Sequence, residues 1–327
     1  VQQPSFFWLL QQRHSIIVQD VERKDADVHL DILELHILLL AIHEILEGQD
    51  RLRLFGAAPV GKDRPGGKGN GGHGIGGPGP TRSSLKESGH GQSAYQVHDE
   101  DVSVNIRVRA VLAFKWMIDL ARHKKIAGAL QDCIGPNVLL FLSGVWSKQP
   151  GTNTFVSWHQ DGAYNPFDRN TGATAWIGLT ESTPEKGNIR CIPGSHSEVI
   201  PHKEILDKDN ILSRGQSVPD VDTSKAVDMP LLAGQFSIHH ELLVHGSAPN
   251  KTNERRLGIS FACVPTEAKP LSGPRTGILI AGENHPGHWA LNKEPAFDLD
   301  PVGLAELKSV QEAYRDPAST KLITEVL

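Results

Sequence analysis

The sequence predicts a mainly β fold with flanking helices. Short β-like runs follow one another between residues 137 and 264, separated by turns of Gly, Pro and Asn; they are NVLLFLSGVW, TFVSWHQD, ATAWIGLT, GNIRCIPGS, GQFSIHHELLVHGS and RRLGISFACV. Few helical patterns lie between them, unlike a parallel sheet built from βαβ units. Nothing repeats at a fixed period. These observations favour a sandwich or a barrel.

Helical patterns flank this β-rich stretch on both sides. In AFKWMIDLARHKKIAGALQDCIG the apolar residues recur at three- and four-residue steps. This predicts one or two short helices that end at Gly135 and Pro136. The segment DPVGLAELKSVQEAY predicts a helix near the end of the chain.

Three zones are predicted along the chain. Residues 1–58 resemble no known folded module and form a segment of doubtful fold, either a lineage-specific extension or an incorrectly assigned start. Their apolar run LDILELHILLLAIHEILEG defines no single helical face. Residues 59–95 are rich in glycine and predict a flexible linker. The G-x-G-x-x-G in this linker has no strand before it and no helix after it, so no dinucleotide site is predicted. Residues 96–327 form the main domain.

Composition narrows the functional classes. The net charge is -5 and the pI is about 6.4, which argues against a nucleic-acid-binding protein. Cys133, Cys191 and Cys263 form no C-x-x-C pair and no disulfide framework, which is typical of a reducing compartment. No secretory leader is recognised, and the longest apolar run is too short to span a bilayer. We therefore expect a cytoplasmic protein without membrane insertion.

The segment SWHQDGAYN contains the first two candidate metal ligands. Alternate residues of a strand point to the same face, so an extended segment aims His159 and Asp161 at one point while Gln160 faces away. An imidazole nitrogen and a carboxylate oxygen are two of the three ligands of a 2-His-1-carboxylate iron site. The motif is short, and a surface histidine bonded to a nearby aspartate would produce it as well.

A third ligand must come from the later histidines. The chain has 16 histidines, and those after Asp161 are His196, His202, His239, His240, His245, His285 and His288. His239 and His240 are adjacent in a strand and are expected to point to opposite faces. His245 ends that strand, and Arg256 follows eleven residues later, past a polar turn that would return it to the neighbourhood of His245.

The expected proximity of Arg256 to the candidate ligand His245 suggests that the site binds a co-substrate. A ferrous site with three protein ligands leaves open positions for a chelating co-substrate and dioxygen. The planar fork of an arginine can bind both oxygens of the far carboxylate of a dicarboxylate such as 2-oxoglutarate. Arg255 is expected to be a solvated charge at the end of the strand.

The sequence resembles the phytanoyl-CoA dioxygenase family of Fe(II)- and 2-oxoglutarate-dependent oxygenases. The resemblance covers roughly residues 105 to 270 and rests on separated blocks in the same order: WHQD, TAWIGLTESTPEKGNIRCIPGSH and GQFSIHHELLVHGSAPNKTNERRLGIS. It implies a double-stranded β-helix, a cupin-like jelly roll with the metal at its mouth. The opening strand and helix of the family are not recognised in residues 1 to 95.

The resemblance also implies roles for individual residues. The iron ligands would be His159, Asp161 and His245. Arg256 would hold the distal carboxylate of 2-oxoglutarate, and Ser247 and Trp176 match positions that contact this co-substrate. Trp176 is also explained by core packing. Lys148 and Arg190 are further candidates that would meet a substrate or surface acids.

The implied activity is hydroxylation of an unactivated C–H bond of a small organic substrate, with release of succinate and CO2. Fe(II), 2-oxoglutarate and O2 are the implied cofactor and co-substrates. Residues 96–327 would then be the dioxygenase domain. Three alternatives are a non-catalytic cupin-like protein that binds a metal or ligand, a cupin-type zinc hydrolase, and a halogenase on the same scaffold. Asp161 disfavours the halogenase, because chloride would need its position.

Overall fold

The computed structural model describes residues 16–20, 96–99, 102–105, 107–212, 215–271, 275–285 and 287–315, and all of them belong to one structural unit. The strands in these ranges are β1 (Ile16–Asp20), β2 (Gln96–Asp99), β3 (Val102–Asn105), β4 (Val138–Lys148), β5 (Val156–His159), β6 (Ala173–Gly178), β7 (Ile189–Cys191), β8 (Lys203–Glu204), β9 (Gln216–Ser217), β10 (Val227–Met229), β11 (Gln235–His240), β12 (His245–Ser247), β13 (Arg256–Pro265), β14 (Thr276–Ala281) and β15 (Ala290–Leu291). The α-helices are α1 (Lys115–Ala121), α2 (Lys124–Ile134) and α3 (Pro301–Arg315).

Two facing sheets form the fold. The major sheet has the order β1-β11-β6-β13-β4-β14-β15, and the minor sheet has the order β10-β7-β12-β5. From β4 to β7, and again from β11 to β13, successive strands alternate between the two sheets. All pairings in the two sheets are antiparallel except that of β14 with β15. This is the jelly-roll arrangement, with both sheets left open, and the prediction of a mainly β fold is confirmed.

The central strand β13 of the major sheet is buried on both faces. Every residue of β13 is buried, which explains its nearly continuous apolar sequence. One face carries Ile259 and Phe261, and helix α2 packs on this sheet at β4, β6, β13 and β14. Alternate residues of β13, beginning with Arg256, have the opposite phase and point toward the interior. The interior between the sheets is therefore lined by side chains of β6, β11 and β13 on one side.

The flanking helices lie where the sequence predicts them. Helix α2 buries Ile126 and Leu130 among its apolar positions and ends before Gly135, whose φ of 101° favours glycine. Helix α3 covers Pro301–Arg315, as the segment DPVGLAELKSVQEAY predicts. Among the described residues, no helix is both long enough and apolar enough to cross a membrane.

One element lies where the sequence analysis recognises none. Strand β1 pairs antiparallel with β11, from Ile16 opposite His239 to Asp20 opposite Gln235. It extends the major sheet by one strand, although apolar periodicity does not reveal a five-residue strand in this region. The predicted linker, residues 59–95, lies outside the described residues, and the three predicted zone boundaries stay predictions.

Candidate metal centre

The minor sheet places two histidines side by side. His159 is the last residue of β5 and His245 is the first of β12, and the two are Cα partners in the antiparallel ladder. Their ring centroids lie 4.2 Å apart. Asp161 begins a short 3-10 turn, Asp161–Tyr164, instead of continuing the strand. Gln160 keeps an extended backbone (φ -113°, ψ 129°), so Asp161 still points to the same side as His159.

These three side chains converge on a small volume. His159 Nε2 lies 3.4 Å from Asp161 Oδ1, and His245 Nε2 lies 3.9 Å from the same oxygen. One possible ligand atom from each residue lies within 4.8 Å of the others. The side chain of Asp161 is 30% exposed, whereas those of the two histidines are 5% and 9% exposed. The cluster is therefore enclosed on the histidine side and open at the carboxylate.

The hydrogen bonds of the histidines prepare them to bind a metal. His159 Nδ1 lies 2.8 Å from the carbonyl oxygen of Ser157, and His245 Nδ1 lies 2.9 Å from that of Leu243. Because a carbonyl can only accept, each Nδ1 carries the proton and donates it. Each Nε2 is then left with its lone pair facing Asp161, which is the tautomer that metal ligation needs.

The electrostatics favour an ionised Asp161 and a neutral His245. Burial raises the pKa of Asp161, but the charge of His245 and the contacts of His159 and His239 outweigh this and hold the pKa well below its ordinary value. Burial lowers the pKa of His245 to about 3, and repulsion from His159 adds to the effect. At neutral pH the carboxylate is ionised and the imidazole is neutral, as a divalent cation requires of its ligands.

Two buried basic side chains lie in the interior next to this cluster. Arg256 begins β13 and Lys148 ends β4, and the two are Cα partners in the major sheet. Lys148 is 0% exposed and Arg256 is 2% exposed. Among the described residues, neither has an ion-pair partner. Buried unpaired charges are costly, which favours a site for an anion.

Neutral groups hold the two cations in place. Lys148 Nζ donates to Ser247 Oγ at 2.6 Å and also to the carbonyl oxygen of Ala248. Arg256 Nη1 donates to the carbonyl oxygen of Gly187 at 3.1 Å. The guanidinium carbon of Arg256 lies 5.1 Å from the ring centroid of Trp176. Ser247 follows His245 by two residues in β12, which connects this pocket to the histidine cluster.

Burial shifts the pKa values of both cations. It lowers the pKa of Lys148 to about 6, with a further contribution from the charge of Arg256. It lowers the pKa of Arg256 to about 10. Without an anion, Lys148 is therefore mostly neutral at pH 7 while Arg256 keeps its charge. An anion between them would favour the charged form of Lys148.

Comparison with known proteins assigns the family. Residues 82–258 match the family model described as Phytanoyl-CoA dioxygenase (PhyH). The matched span is more than half of the 327 residues, and it contains both histidines, the aspartate and Arg256. The chain belongs to the phytanoyl-CoA dioxygenase family.

Individual relatives of this family member match over part of their length. A probable alpha-ketoglutarate-dependent hypophosphite dioxygenase of Stutzerimonas stutzeri is 30% identical over 165 residues, which is 50% of this chain and 57% of that protein. A phytanoyl-CoA dioxygenase of Arabidopsis thaliana is 30% identical over 120 residues, which is 37% of this chain and 42% of that protein. The chain thus spans about half the length of the curated relatives it matches.

A solved structure shares the fold. The non-heme monooxygenase ThoJ in its apo form superposes with a TM-score of 0.56 and is 26% identical, over 63% of this chain and 76% of that one. A nickel complex of ThoJ superposes with a TM-score of 0.54 at 24% identity, over 64% of this chain and 77% of that one. These likenesses support the jelly-roll assignment.

In this phytanoyl-CoA dioxygenase family member, Lys148 and Arg190 have different surroundings. Lys148 lies beside Arg256 and Ser247 in the interior, where it would meet the same anion as Arg256. Arg190 pairs with Gly246 and points away from the histidines. Its guanidinium carbon lies 5.9 Å from the ring centroid of Trp158, and its Nε lies 3.6 Å from Asp228 Oδ1. The structure does not bring Arg190 to the site, so the substrate contact suggested for it is not supported.

The sequence analysis does not predict two neighbours of Asp161, Thr174 and His239, although it lists His239 among the candidate third ligands. Thr174 Oγ1, from β6, donates to Asp161 Oδ2 at 2.8 Å. His239 Nε2, from β11, lies 3.6 Å from the same oxygen. His240 points the other way, and its Nε2 lies 3.2 Å from the carbonyl oxygen of Asn170, which confirms the opposite faces of this histidine pair. The position of Thr174 and His239 beside Asp161 cannot be predicted from the sequence, because it results from the pairing of distant strands.

Gln160 anchors the metal-ligand segment from its other face. Its side-chain nitrogen donates to the carbonyl oxygens of Leu242 (2.7 Å) and Glu198 (2.8 Å), and its side-chain oxygen accepts from the backbone nitrogen of Ile200 (2.8 Å). Its backbone nitrogen donates to His202 Nε2 at 2.9 Å. Burial lowers the pKa of His202 to about 4, which keeps this acceptor neutral. The outward-facing glutamine expected from the H-x-D spacing thus holds two loops against the site.

Proposed function

We propose that this chain is an Fe(II)- and 2-oxoglutarate-dependent dioxygenase that hydroxylates an unactivated C–H bond of a small organic substrate and releases succinate and CO2. One observation carries the proposal. A cluster of two histidines and one aspartate lies beside two buried basic side chains, Lys148 and Arg256, that have no acidic partner among the described residues. The first arrangement suits a ferrous ion, and the second suits the dicarboxylate that such enzymes consume.

The residues present fit the metal. His159 and His245 would offer Nε2, and Asp161 would offer Oδ1, because these atoms face one another and both histidines have their Nδ1 protons engaged elsewhere. Three protein ligands leave open positions for co-substrate and dioxygen. When bound, iron(II) supplies the redox chemistry that couples dioxygen to oxidation of 2-oxoglutarate and substrate.

The co-substrate would lie between β12 and β13. Arg256 would hold the distal carboxylate through its guanidinium fork, whose Nε has no partner in the described structure. Lys148 and Ser247, already joined by a hydrogen bond, would complete this pocket. Trp176 would shape one wall and keep the guanidinium in place. This assigns Lys148 to the co-substrate and not to the substrate.

Each alternative function leaves at least one of these structural features unexplained. A non-catalytic metal-binding protein has no need for Arg256 and Lys148 in its interior. A cupin-type zinc hydrolase needs the metal ligands but not a site for a dicarboxylate. A halogenase needs the position of Asp161 for chloride. The substrate is a small molecule in this proposal, and a cytoplasmic location stays a prediction.

Succinate release tests the proposal. The full chain is loaded anaerobically with Fe(II), supplied with 2-oxoglutarate and O2, and assayed against a panel of small carboxylates, amines and acyl-CoA thioesters. We expect substrate-stimulated succinate release that is absent in Asp161→Ala, since a methyl group cannot bind Fe(II). Metal binding without any binding of 2-oxoglutarate would favour the non-catalytic alternative. Full hydroxylation by Asp161→Ala would show that this carboxylate is not a ligand.

A further inference from the structure

His239 is a buried imidazole for which the proposed reaction has no use. Its side chain is 1% exposed, and neither ring nitrogen has a hydrogen-bond partner among the residues that the structure describes. It projects from β11 into the interior that holds His245, and the two ring centroids lie 4.5 Å apart. Native structures leave few buried polar groups unpaired, because each one has lost its bonds to water without replacement. An unpaired imidazole at this place indicates a function beside the metal centre.

The Nε2 atom of His239 faces one oxygen of the candidate ligand set. It lies 3.6 Å from Asp161 Oδ2, the oxygen that also accepts the 2.8 Å hydrogen bond of Thr174. His239 and Thr174 are Cα partners in the pairing of β11 with β6, so neighbouring strands aim a hydroxyl group and an imidazole nitrogen at one atom. The other oxygen, Oδ1, faces Nε2 of His159 and of His245. The two carboxylate oxygens therefore have separate environments.

We propose that His239 is a positioning residue that, together with Thr174, holds Asp161 as a one-oxygen ligand. This inference rests on the metal site proposed above. A carboxylate can bind a metal through one oxygen or both. With Oδ2 engaged by two donors, only Oδ1 is offered to the metal, and the remaining positions stay open for co-substrate and dioxygen. A short approach of His239 to Oδ2 on metal binding would also give its buried nitrogen a partner.

Direct ligation by His239 fits the geometry less well. Within the described part of the chain, the group whose ligand atoms all lie within 4.8 Å consists of His159, Asp161 and His245, without His239. A fourth protein ligand would also leave only two positions of an octahedron. Bidentate 2-oxoglutarate would fill both, and none would remain for dioxygen. The role assigned to His239 therefore lies outside the ligand set.

Cobalt(II) binding to the full chain tests this role without any turnover. The affinity for Co(II) and the visible ligand-field spectrum of the Co(II) protein are measured for the wild type and for four variants. His239→Leu removes the donor, His239→Gln keeps an N–H donor near Nε2, and Thr174→Val removes the second donor. His240→Gln, on the neighbouring residue of opposite face, is the matched control. The melting temperature of each metal-free variant reports its folding.

A positioning role predicts a graded pattern. His239→Leu should weaken Co(II) binding by about 10- to 100-fold, the usual range for losing an outer partner of a metal ligand. Its spectrum should lose intensity, since a carboxylate that binds through both oxygens raises the coordination number. Thr174→Val should change both quantities in the same direction, His239→Gln should restore most of the affinity, and His240→Gln should match the wild type.

Other patterns would overturn the proposal. A folded His239→Leu with unchanged spectrum and affinity would show that Oδ2 needs no second donor. Equal losses in His239→Gln and His239→Leu would mean that His239 ligates the metal or only packs. If His239→Leu does not fold, a spectrum of Thr174→Val identical to that of the wild type overturns it instead. A wild-type chain that binds no Co(II) would refute the metal site itself, and His239 with it.

Discussion

At the scale of single residues, Arg255 and Arg256 differ in burial because adjacent residues of an extended segment point to opposite faces. Arg256 is 2% exposed and lies 5.1 Å from the ring centroid of Trp176 in the interior, whereas Arg255 is half-buried and precedes the strand. Leu257 has the opposite phase and is 0% exposed. This is the strand phase that the interval of eleven from His245 predicts. The role of Arg256 toward 2-oxoglutarate stays a prediction.

Alanine substitutions of the two arginines should have unequal effects. Losing one arm of a buried charge-assisted pair costs about 2–5 kcal/mol, or about 30-fold to several thousandfold in affinity. Arg256→Ala should therefore raise the apparent KM for 2-oxoglutarate steeply and leave Co(II) affinity nearly intact, because the three ligands remain. Arg255→Ala is the matched control and should change the KM little. An equal or larger effect at Arg255 would refute the assigned pocket.

Lys148 should make co-substrate binding depend on pH. Its pKa is lowered to about 6 in the free protein, so it is mostly neutral at pH 7 and charges when an anion binds. Binding of 2-oxoglutarate then takes up a proton, and the Kd should rise by up to about tenfold per pH unit above pH 6. Calorimetry of the Co(II)-loaded chain in two buffers of different ionisation enthalpy measures this uptake directly.

Lys148→Met is the control for this proton uptake. The variant has no group to charge at this position, so its Kd should be higher than that of the wild type and should lose most of its pH dependence between pH 6 and 8. The same substitution removes a buried polar group beside Arg256 and should not lower the melting temperature of the metal-free chain. Proton uptake that persists in Lys148→Met would assign it to another group.

At the scale of elements, the connection from β11 to β12 carries a buried acid. Glu241 is 4% exposed, and its Oε1 accepts a hydrogen bond from the backbone nitrogen of Gly172 at 2.9 Å. Its backbone bonds to Gly162 and Gly172 tie this turn to the segment after Asp161. A Cβ at Gly172 would lie 2.7 Å from Glu241 Oε2, so a larger residue there would displace the glutamate side chain. The turn thus depends on an acid that lacks a cationic partner in the described structure.

Glu241→Gln should change the pH dependence of stability. Burial raises the pKa of Glu241 to about 7, and the charge of Asp161 contributes. Above the ordinary pKa of 4.5, the carboxyl group of Glu241 has released its proton in the unfolded chain but still holds it in the folded chain. The resulting stabilisation is complete below about pH 4.5 and is lost as the pH rises through 7. By linkage the loss is about 3 kcal/mol at most.

Thermal unfolding of the metal-free chain measures this effect. Glutamine keeps the oxygen that accepts from Gly172 and does not titrate. The melting temperature of Glu241→Gln relative to the wild type should therefore rise from pH 5 to pH 8. Glu312→Gln, on an exposed position of α3, should show no such trend. A constant difference between wild type and Glu241→Gln across this range would refute the buried, protonated carboxyl.

At the scale of the whole molecule, the site exists only because the two sheets face each other. The minor sheet supplies His159 and His245, and the major sheet supplies Lys148 and Arg256. Strand β11, which carries His239, is covered along its outer edge by β1. An uncovered edge strand offers free backbone donors and acceptors to other chains. The region before residue 95, in which the sequence analysis recognises no part of the family fold, therefore contributes a strand to the sheet that carries the site.

Proline substitutions in β1 test this contribution. In an antiparallel pair only alternate residues bond to the neighbouring strand, so one of Ile17→Pro and Val18→Pro should remove a ladder bond while the other should not. We expect a lower melting temperature for that one variant. A chain that begins at residue 95 should melt lower than the full chain and aggregate more readily. A truncated chain with unchanged melting temperature, solubility and Co(II) affinity would show that β1 is dispensable.

The sequence by itself determined the features that depend on residues close to one another along the chain. The H-x-D spacing put His159 and Asp161 on one side, the turn between His245 and Arg256 returned the arginine to the interior, and the turn-separated β runs indicated the fold class. Each of these depends on backbone geometry over a few residues, which local residue types encode. The sequence did not predict that β5 ends at His159 and that a turn begins at Asp161. The prediction for Asp161 still holds, because the backbone of Gln160 is extended.

Only the tertiary structure decided which distant residues join this site. Lys148 meets Arg256 through the register of β4 with β13, and Thr174 meets His239 through the register of β6 with β11. These strands lie far apart in the sequence, so nothing in the local pattern of either strand reveals the partner residue. A shift of the register by one residue would turn each of these side chains to the other face. The packing of the two sheets fixes that register, and with it the surroundings of the candidate metal ligands.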